Sequence, residues 1–351
     1  MARVDTTVRQ GPVQPLPGHT GLKRFSAHRF CRRRRPGTGR RGNRGFVVTL
    51  GRVIDSHLHV VDFLQHPIEP GAVTSALAAE DVERLVVFGV PVKKKWGMTE
   101  PERPTYYLDD NAPCATYSLT DQLVAELVLA LDPRSRERVA PLICGFDPTD
   151  QLAADHVDLM TSRHDVWRGI GEIFLRHDDL TELTYGENAR AGHPALDGIL
   201  EICAARGWPL TFHQDASSAG RSGQREYVGE VVAMLGRHPD VPQVWAHAGV
   251  SRRVRPGQHA ALLGELMDRH ANLHVDLSWV LFDSVVVEGE ATTSWVELVA
   301  RRPDRFVVGS DAFGSVAEQP ESLVRWRALT DRLTPAARRM VEHDNAVRLW
   351  W

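Results

Sequence analysis

Five histidine and aspartate side chains define the chemistry open to this chain. His57 and His59 lie two apart in Val53-Ile54-Asp55-Ser56-His57-Leu58-His59-Val60, which reads as a short apolar strand. Side chains alternate faces along a strand, so the two imidazoles point the same way and Leu58 points the other. His213 closes the run Thr211-Phe212-His213, His247 closes Trp245-Ala246-His247, and Asp311 follows Val307-Val308-Gly309-Ser310. Taken singly, each has an ordinary explanation: a strand-end histidine satisfied by local hydrogen bonds, or an aspartate capping the next helix. Taken together they supply nitrogen and oxygen donors suited to a divalent ion, with Zn first and Mn or Fe as alternatives.

The elements that must position these residues follow a regular alternation. Apolar, β-branched runs at 52–59, 84–90, 139–146, 168–175, 209–214, 242–247, 273–278 and 305–310 read as strands. Helical segments are expected near 73–82, 119–131, 150–163, 195–206, 225–237, 258–270, 293–301 and 321–332, with Gly207 as a C-terminal stop and Pro239 and Pro303 just past two others. Eight βα units in succession predict a closed (β/α)8 TIM barrel over residues 51–351. His57, His59, Lys93, Glu172, His213, His247, Asp276 and Asp311 all fall at or just past the C-terminal ends of strands, the rim where barrel sites are built.

Charge separates the N-terminal stretch from this body. Residues 1–50 hold 12 Lys/Arg against the single acid Asp5, while the rest of the chain holds 30 Lys/Arg against 44 Asp/Glu. The first segment, with Arg32-Arg33-Arg34-Arg35-Pro36, lacks hydrophobic periodicity and is expected to be a disordered basic extension with no part in the chemistry. No apolar stretch follows its arginines, so it does not read as a secretory signal. The acidic body argues against general nucleic-acid binding. Four scattered cysteines without CxxC spacing predict reduced thiols and a cytoplasmic protein, and no apolar run reaches membrane-spanning length.

His57-x-His59 on the first strand, His213 on the fifth, His247 on the sixth and Gly309-Ser310-Asp311 on the eighth resemble the amidohydrolase superfamily, in its amidohydrolase-related, metal-dependent hydrolase branch. Asp344-Asn345-Ala346-Val347-Arg348-Leu349-Trp350 also looks like that branch's C-terminal segment, with Trp in place of Phe. The resemblance implies a TIM barrel in which His57, His59 and Asp311 bind metal in every version of the site. His213 would be a further ligand. His247 would either bind a second ion or polarise the substrate. Glu172 stands where binuclear members carry a bridging carboxylate; it could equally be a buried acid paired with Arg176 or Lys93, or a substrate contact, so one or two ions remain open. The implied reaction uses metal-activated water, with Asp311 carrying the proton and His247 steadying the oxyanion. Asp276 could orient a ligand histidine or hold a purely structural hydrogen bond.

Specificity is expected from the loops. The stretch 91–118 reads as a long loop with Lys93, Lys94, Lys95, Trp96, Tyr106 and Tyr107. Lys93 and Arg176 are candidates for holding a substrate carboxylate or phosphate, His177 for a substrate contact, and Trp279 for an apolar wall. The leading expectation is a metal-dependent hydrolase of a small organic amide, lactone or ester, with family members often dimeric. A non-oxidative decarboxylase of an aromatic or unsaturated acid is the alternative within the fold. A non-catalytic binding barrel, or a nucleic-acid-associated protein acting through the basic tail, is the alternative of another class.

Overall fold

Parallel strands buried on both faces need near-continuous apolar sequence, and the eight runs that satisfy this form the barrel. The computed structural model describes residues 52–351 apart from 80, 100, 104–112 and 179. The expected basic tail, and Tyr106, Tyr107 and Asp179, lie outside the described residues. The barrel strands are β1 (Val53–Val61), β2 (Val82–Gly89), β3 (Val139–Pro141), β4 (Ile170–Phe174), β5 (Leu210–His213), β6 (Gln243–Ala246), β7 (Leu273–Leu277) and β8 (Phe306–Val308). Each pairs in parallel with the next. The β3–β4 step is carried by the Ile143–Ile170 bridge just past β3. The ring closes where the Asp311 amide donates to the His57 carbonyl at 2.8 Å and Leu58 pairs with Ala312.

Helices fill the crossovers: α1 (Pro70–Ala78), α2 (Leu119–Leu129), α3 (Ala153–Arg163), α4 (Ala195–Arg206), α5 (Val228–Arg237), α6 (His259–Arg269), α7 (Thr293–Arg301) and α8 (Gln319–Arg325). Gly207 ends α4 in the left-handed conformation, at φ 65°. α5 shows why these segments pack: Val228, Val231, Met234 and Leu235 recur at helical spacing and are all buried. The first helix starts at Pro70 rather than 73, because proline suits the opening turn, and it gives way before Val82 begins β2. β3 is shorter than expected. Beyond the Ile143 bridge the chain leaves the ladder, and the amides of Cys144 and Gly145 donate to Asp121 at 2.9 Å each. The stretch 91–118 also differs from an unstructured loop, since Val92–Lys94 pairs antiparallel with Cys114–Thr116.

The barrel interior below the site is apolar: Ile54, Val86, Phe88, Ala140, Leu142, Val244 and Val307. The C-terminal helix closes its far end, with Ala346, Leu349 and Trp350 packed into the same cluster. Asn345 ties that helix to the start of β8 by donating to the carbonyls of Pro303 (2.7 Å) and Phe306 (2.8 Å). The family-like C-terminal segment is therefore a plug for the bottom of the barrel.

β1 carries a departure from regular alternation that matters for function. Ile54 faces the interior cluster, so strict alternation would send the odd-numbered residues outward. Register shifts against β2 between Asp55 and Leu58 reverse this. Leu58 packs in the outer strand–helix layer and the imidazoles of His57 and His59 turn inward against Phe88, with ring centroids 4.8 and 4.9 Å away. Bulges of this kind re-aim side chains next to active sites.

Candidate metal centre

Four donor atoms converge at the top of β1. His57 Nε2 and His59 Nε2 are 3.2 Å apart. Glu172 Oε2 lies 3.3 Å from each of them, and Asp311 Oδ1 lies 3.3 and 3.2 Å from them. A tetrahedral ion with bonds of about 2.0–2.1 Å needs its donors roughly 3.3 Å from one another. The five spacings fit that cage. A second group forms around the other Glu172 oxygen: Oε1 is 3.4 Å from His213 Nδ1 and 3.6 Å from His247 Nε2. Glu172 Oε1 and His213 Nδ1 are buried with no hydrogen-bond partner. Buried polar atoms are costly to leave unpaired, and a shared cation satisfies both.

Three of the four histidines are held from behind, while His59 Nδ1 is buried with no hydrogen-bond partner. His57 Nδ1 pairs with Asp276 Oδ2. His213 Nε2 meets Asp215 Oδ1 at 3.0 Å, which turns Nδ1 toward Glu172. His247 Nδ1 meets Ser278 Oγ at 2.7 Å, which turns Nε2 the same way. Such partners settle the tautomer and aim of a ligating imidazole. Asp55, fully buried, accepts from the Ser310 amide (2.8 Å), Ser310 Oγ (2.7 Å) and Gln319 Nε2 (2.8 Å), fastening the turn that presents Asp311. Gly309 lets that turn approach, since a Cβ there would fall 2.5 Å from His57 Cβ. His247 (φ 52°), Trp279 (φ 49°) and Asp311 (φ 51°) all adopt the left-handed backbone region. Strain of this kind in side-chain-bearing residues clusters at functional sites.

The electrostatics call for positive charge. Burial disfavours a charged imidazole at His57, yet Glu172, Asp276 and Asp311 hold it well above the usual histidine value. His213, likewise buried, is pushed up to about 9 by Asp215 and Glu172. Burial opposes ionisation of Glu172, yet His57, His213 and His247 keep it well below the usual carboxylate range. Protons on these imidazoles and metal ions are alternative ways of meeting the same demand, and metal binding exchanges one for the other. His177 behaves differently. Burial and neighbouring His213 lower it to about 3, so it stays neutral while stacking on His213 with centroids 4.3 Å apart.

The site opens into a cavity of about 280 Å³ whose lining includes His59, Glu172, His213, His247 and Asp311. His177 and Trp279, candidates for a substrate contact and an apolar wall, line it too. Two expected substrate contacts fall elsewhere. Lys93 sits on the Val92–Lys94 strand, over the Tyr117 ring at 4.9 Å, in a separate surface cavity. Arg176 turns away from the centre to pair with Glu182 and to lie over the Tyr227 ring at 4.7 Å. Glu172 pairs with neither of them. The sequence reading missed Asp55, Asp215, Ser278, Arg252 and Arg325. Asp55 and Asp215 did carry a signal: each is an acid two residues from a ligand histidine within or beside an apolar strand.

The fold and site define a TIM-barrel protein whose C-terminal rim gathers histidines and carboxylates into clusters with the spacing to hold a metal ion. The family model described as Amidohydrolase matches residues 172–350, half of the sequence, and the chain belongs to that enzyme family. Among solved structures, an uncharacterised TIM-barrel protein from Bordetella bronchiseptica is similar at 14% identity and a TM-score of 0.52, over 85% of this chain and 98% of its own. A protein described as amidohydrolase II is similar at 15% identity and a TM-score of 0.50, over 85% and 99%. A Pseudomonas putida protein named as a candidate 2-pyrone-4,6-dicarboxylic acid hydrolase gives 15% identity and a TM-score of 0.50, over 85% and 97%. At these identities the likeness is one of fold. No curated protein matches the sequence. No helix among the described residues is long and apolar enough to cross a membrane.

Proposed function

We propose that the chain is a binuclear metal-dependent hydrolase of a small organic amide, lactone or ester. One observation carries the two-ion reading: the oxygens of Glu172 face different donor groups, Oε2 toward His57 and His59 and Oε1 toward His213 and His247. His57, His59 and Asp311 would hold one ion, His213 and His247 the other, with Glu172 shared. Zn suits this donor set, as do Mn and Fe. Divalent ions held there would lower the pKa of water far enough to make hydroxide available near neutral pH.

The chain's own residues do the rest. Asp311 reaches the first donor group through Oδ1, while Oδ2 lies 3.9 Å from His247 Nε2. Oδ2 is the atom placed to take the proton from attacking water and deliver it to the leaving group. Asp276, Asp215 and Ser278 keep the imidazoles aimed so that nothing reorganises during reaction. Phe174, Trp279 and Phe313 wall the cavity with apolar surface. Cys144 and Cys203 are buried free thiols, which supports a reducing, cytoplasmic setting.

A second reading keeps the same ligands and changes the reaction to non-oxidative decarboxylation. Its support is the aromatic lining, Phe63 with Phe174, Trp279 and Phe313, which suits a flat unsaturated acid. Metal analysis of the purified protein, with assays on panels of lactones, esters, amides and aromatic acids, separates the outcomes. Stoichiometric metal with hydrolysis supports the first reading, and CO₂ release from the acids alone supports the second. Absence of bound Zn, Mn or Fe, and of any activity after their addition, overturns both.

A further inference from the structure

Among the arginines near the barrel mouth, most have a carboxylate partner. Arg176 pairs with Glu182, Arg190 with Glu230, and Arg253 with Asp178. Arg325 does not. It ends α8, lines the same cavity as the metal-site residues, and is half-buried. Its one hydrogen bond among the described residues runs from Nη2 to the Trp279 carbonyl at 2.7 Å, and its guanidinium lies over the Phe282 ring at 4.8 Å. No described carboxylate comes within ion-pair distance of it, and its Nε is buried without a partner. A guanidinium offers five donors, so most of its capacity is unused.

We propose that Arg325 is the anion receptor of this cavity, and that the substrate is a small ring-shaped carboxylate whose charged end rests against it. This refines the metal-dependent reading above and rests on it. The charge balance favours an anion. Glu172 and Asp311 are committed to the four histidines and the ions they would hold, while the remaining acid on the lining, Glu318, is exposed and pairs with nothing described. Arg252 adds a second guanidinium to the lining, 5.6 Å over the Trp279 ring. The volume of about 280 Å³ lies at the small end for ligand pockets, too small for a nucleotide or peptide. The walls of Phe63, Phe174, Trp279 and Phe313 suit a flat ring. Carboxylate is favoured over phosphate because one half-buried guanidinium with a planar fork matches a single negative charge, whereas an enclosed dianion demands more donors.

Arg325 could instead serve only to fix the Trp279 loop, so the test compares charged and neutral probes. Benzoate, its uncharged counterpart benzamide, and phenyl phosphate are titrated calorimetrically into the metal-loaded full chain, wild type and the variants Arg325→Gln and Arg325→Lys. Wild type is expected to favour benzoate over both other probes. Arg325→Gln should weaken benzoate by about tenfold or more while leaving benzamide within about twofold, and Arg325→Lys should restore part of the loss. Benzoate bound equally by wild type and Arg325→Gln would show that metal alone holds it. Equal losses for benzoate and benzamide would reduce Arg325 to a structural role. Either result overturns the proposal, as does tighter phenyl phosphate binding or no benzoate binding by wild type. Metal content and lactone hydrolysis are measured in parallel. A chain that holds metal and hydrolyses lactones but shows no Arg325 dependence refutes this inference alone. A chain that binds no metal refutes the broader reading, while the benzoate comparison still reports on Arg325.

Discussion

Asp276 and Asp215 stand behind different donor groups, and each should govern a different ion. Asp276 is buried and meets His57 Nδ1, leaving Nε2 to face His59, Glu172 Oε2 and Asp311 Oδ1. Replacing it by Asn keeps the volume and a hydrogen-bond acceptor but removes the charge. A hydrogen bond to a charged group contributes roughly 1.5–3 kcal/mol against about 0.5–1.5 for a neutral one, so the exchange costs on the order of 1 kcal/mol in aim and basicity of His57. Asp276→Asn should therefore weaken the first ion by about tenfold, and Asp276→Ala, which also leaves a void, by up to about a hundredfold. Asp215→Asn should mirror this at the second group, because Asp215 Oδ1 holds His213 Nε2 at 3.0 Å. Competition titrations against a fluorescent chelator resolve two binding steps, and thermal melts check that each variant folds. The reasoning predicts that the two variants weaken opposite steps. If both weaken the same step, or neither moves either step, the two-group assignment is wrong. If only one step is ever seen in wild type, Glu172 does not bridge.

Three further outcomes follow from the fold. Asn345→Ala strands the carbonyls of Pro303 and Phe306 at the foot of β8 and should cost about 1–3 kcal/mol, read as a lower Tm with unchanged metal content. His259 is lowered to about 4 by burial, and His274 to about 4 by burial and Arg348, both below the unfolded value of 6.5. The unfolded chain therefore binds more protons through this window: stability is full above pH 6.5 and falls as pH drops toward 4, by up to about 1.4 kcal/mol per pH unit for each histidine. Urea melts at pH 7.5 and 5 should show His259→Gln losing less of its own stability than wild type does; parallel losses would refute the assignment. Removing residues 1–45 should leave kcat/KM for any substrate found unchanged, and a large loss would give the basic tail a role in the chemistry.

The barrel was legible because its strands obey one rule strongly. Runs such as Leu85-Val86-Val87-Phe88 are buried on both faces and admit few polar residues, so an imidazole or carboxylate at the end of one stands out. The cavity walls were not legible for the opposite reason. Lys93 and Arg325 look alike in sequence, two cations among 42, each beyond a strand. Local pairing sends Lys93 onto a hairpin beside Tyr117, while α8 carries Arg325 back over the ring beside Trp279. Those placements depend on how the whole barrel closes, and no short window contains them. β1 lies between these cases. Alternation correctly put His57 and His59 on one face and Leu58 on the other, but which face is inside depends on the register shift between Asp55 and Leu58. The same closure sets the surroundings of Glu172. From its own strand it could have reached Arg176, Lys93 or an ion; with β1, β5, β6 and β8 brought around it, its two oxygens each meet a different pair of imidazoles, and the proposed bridge between two ions would leave neither oxygen idle.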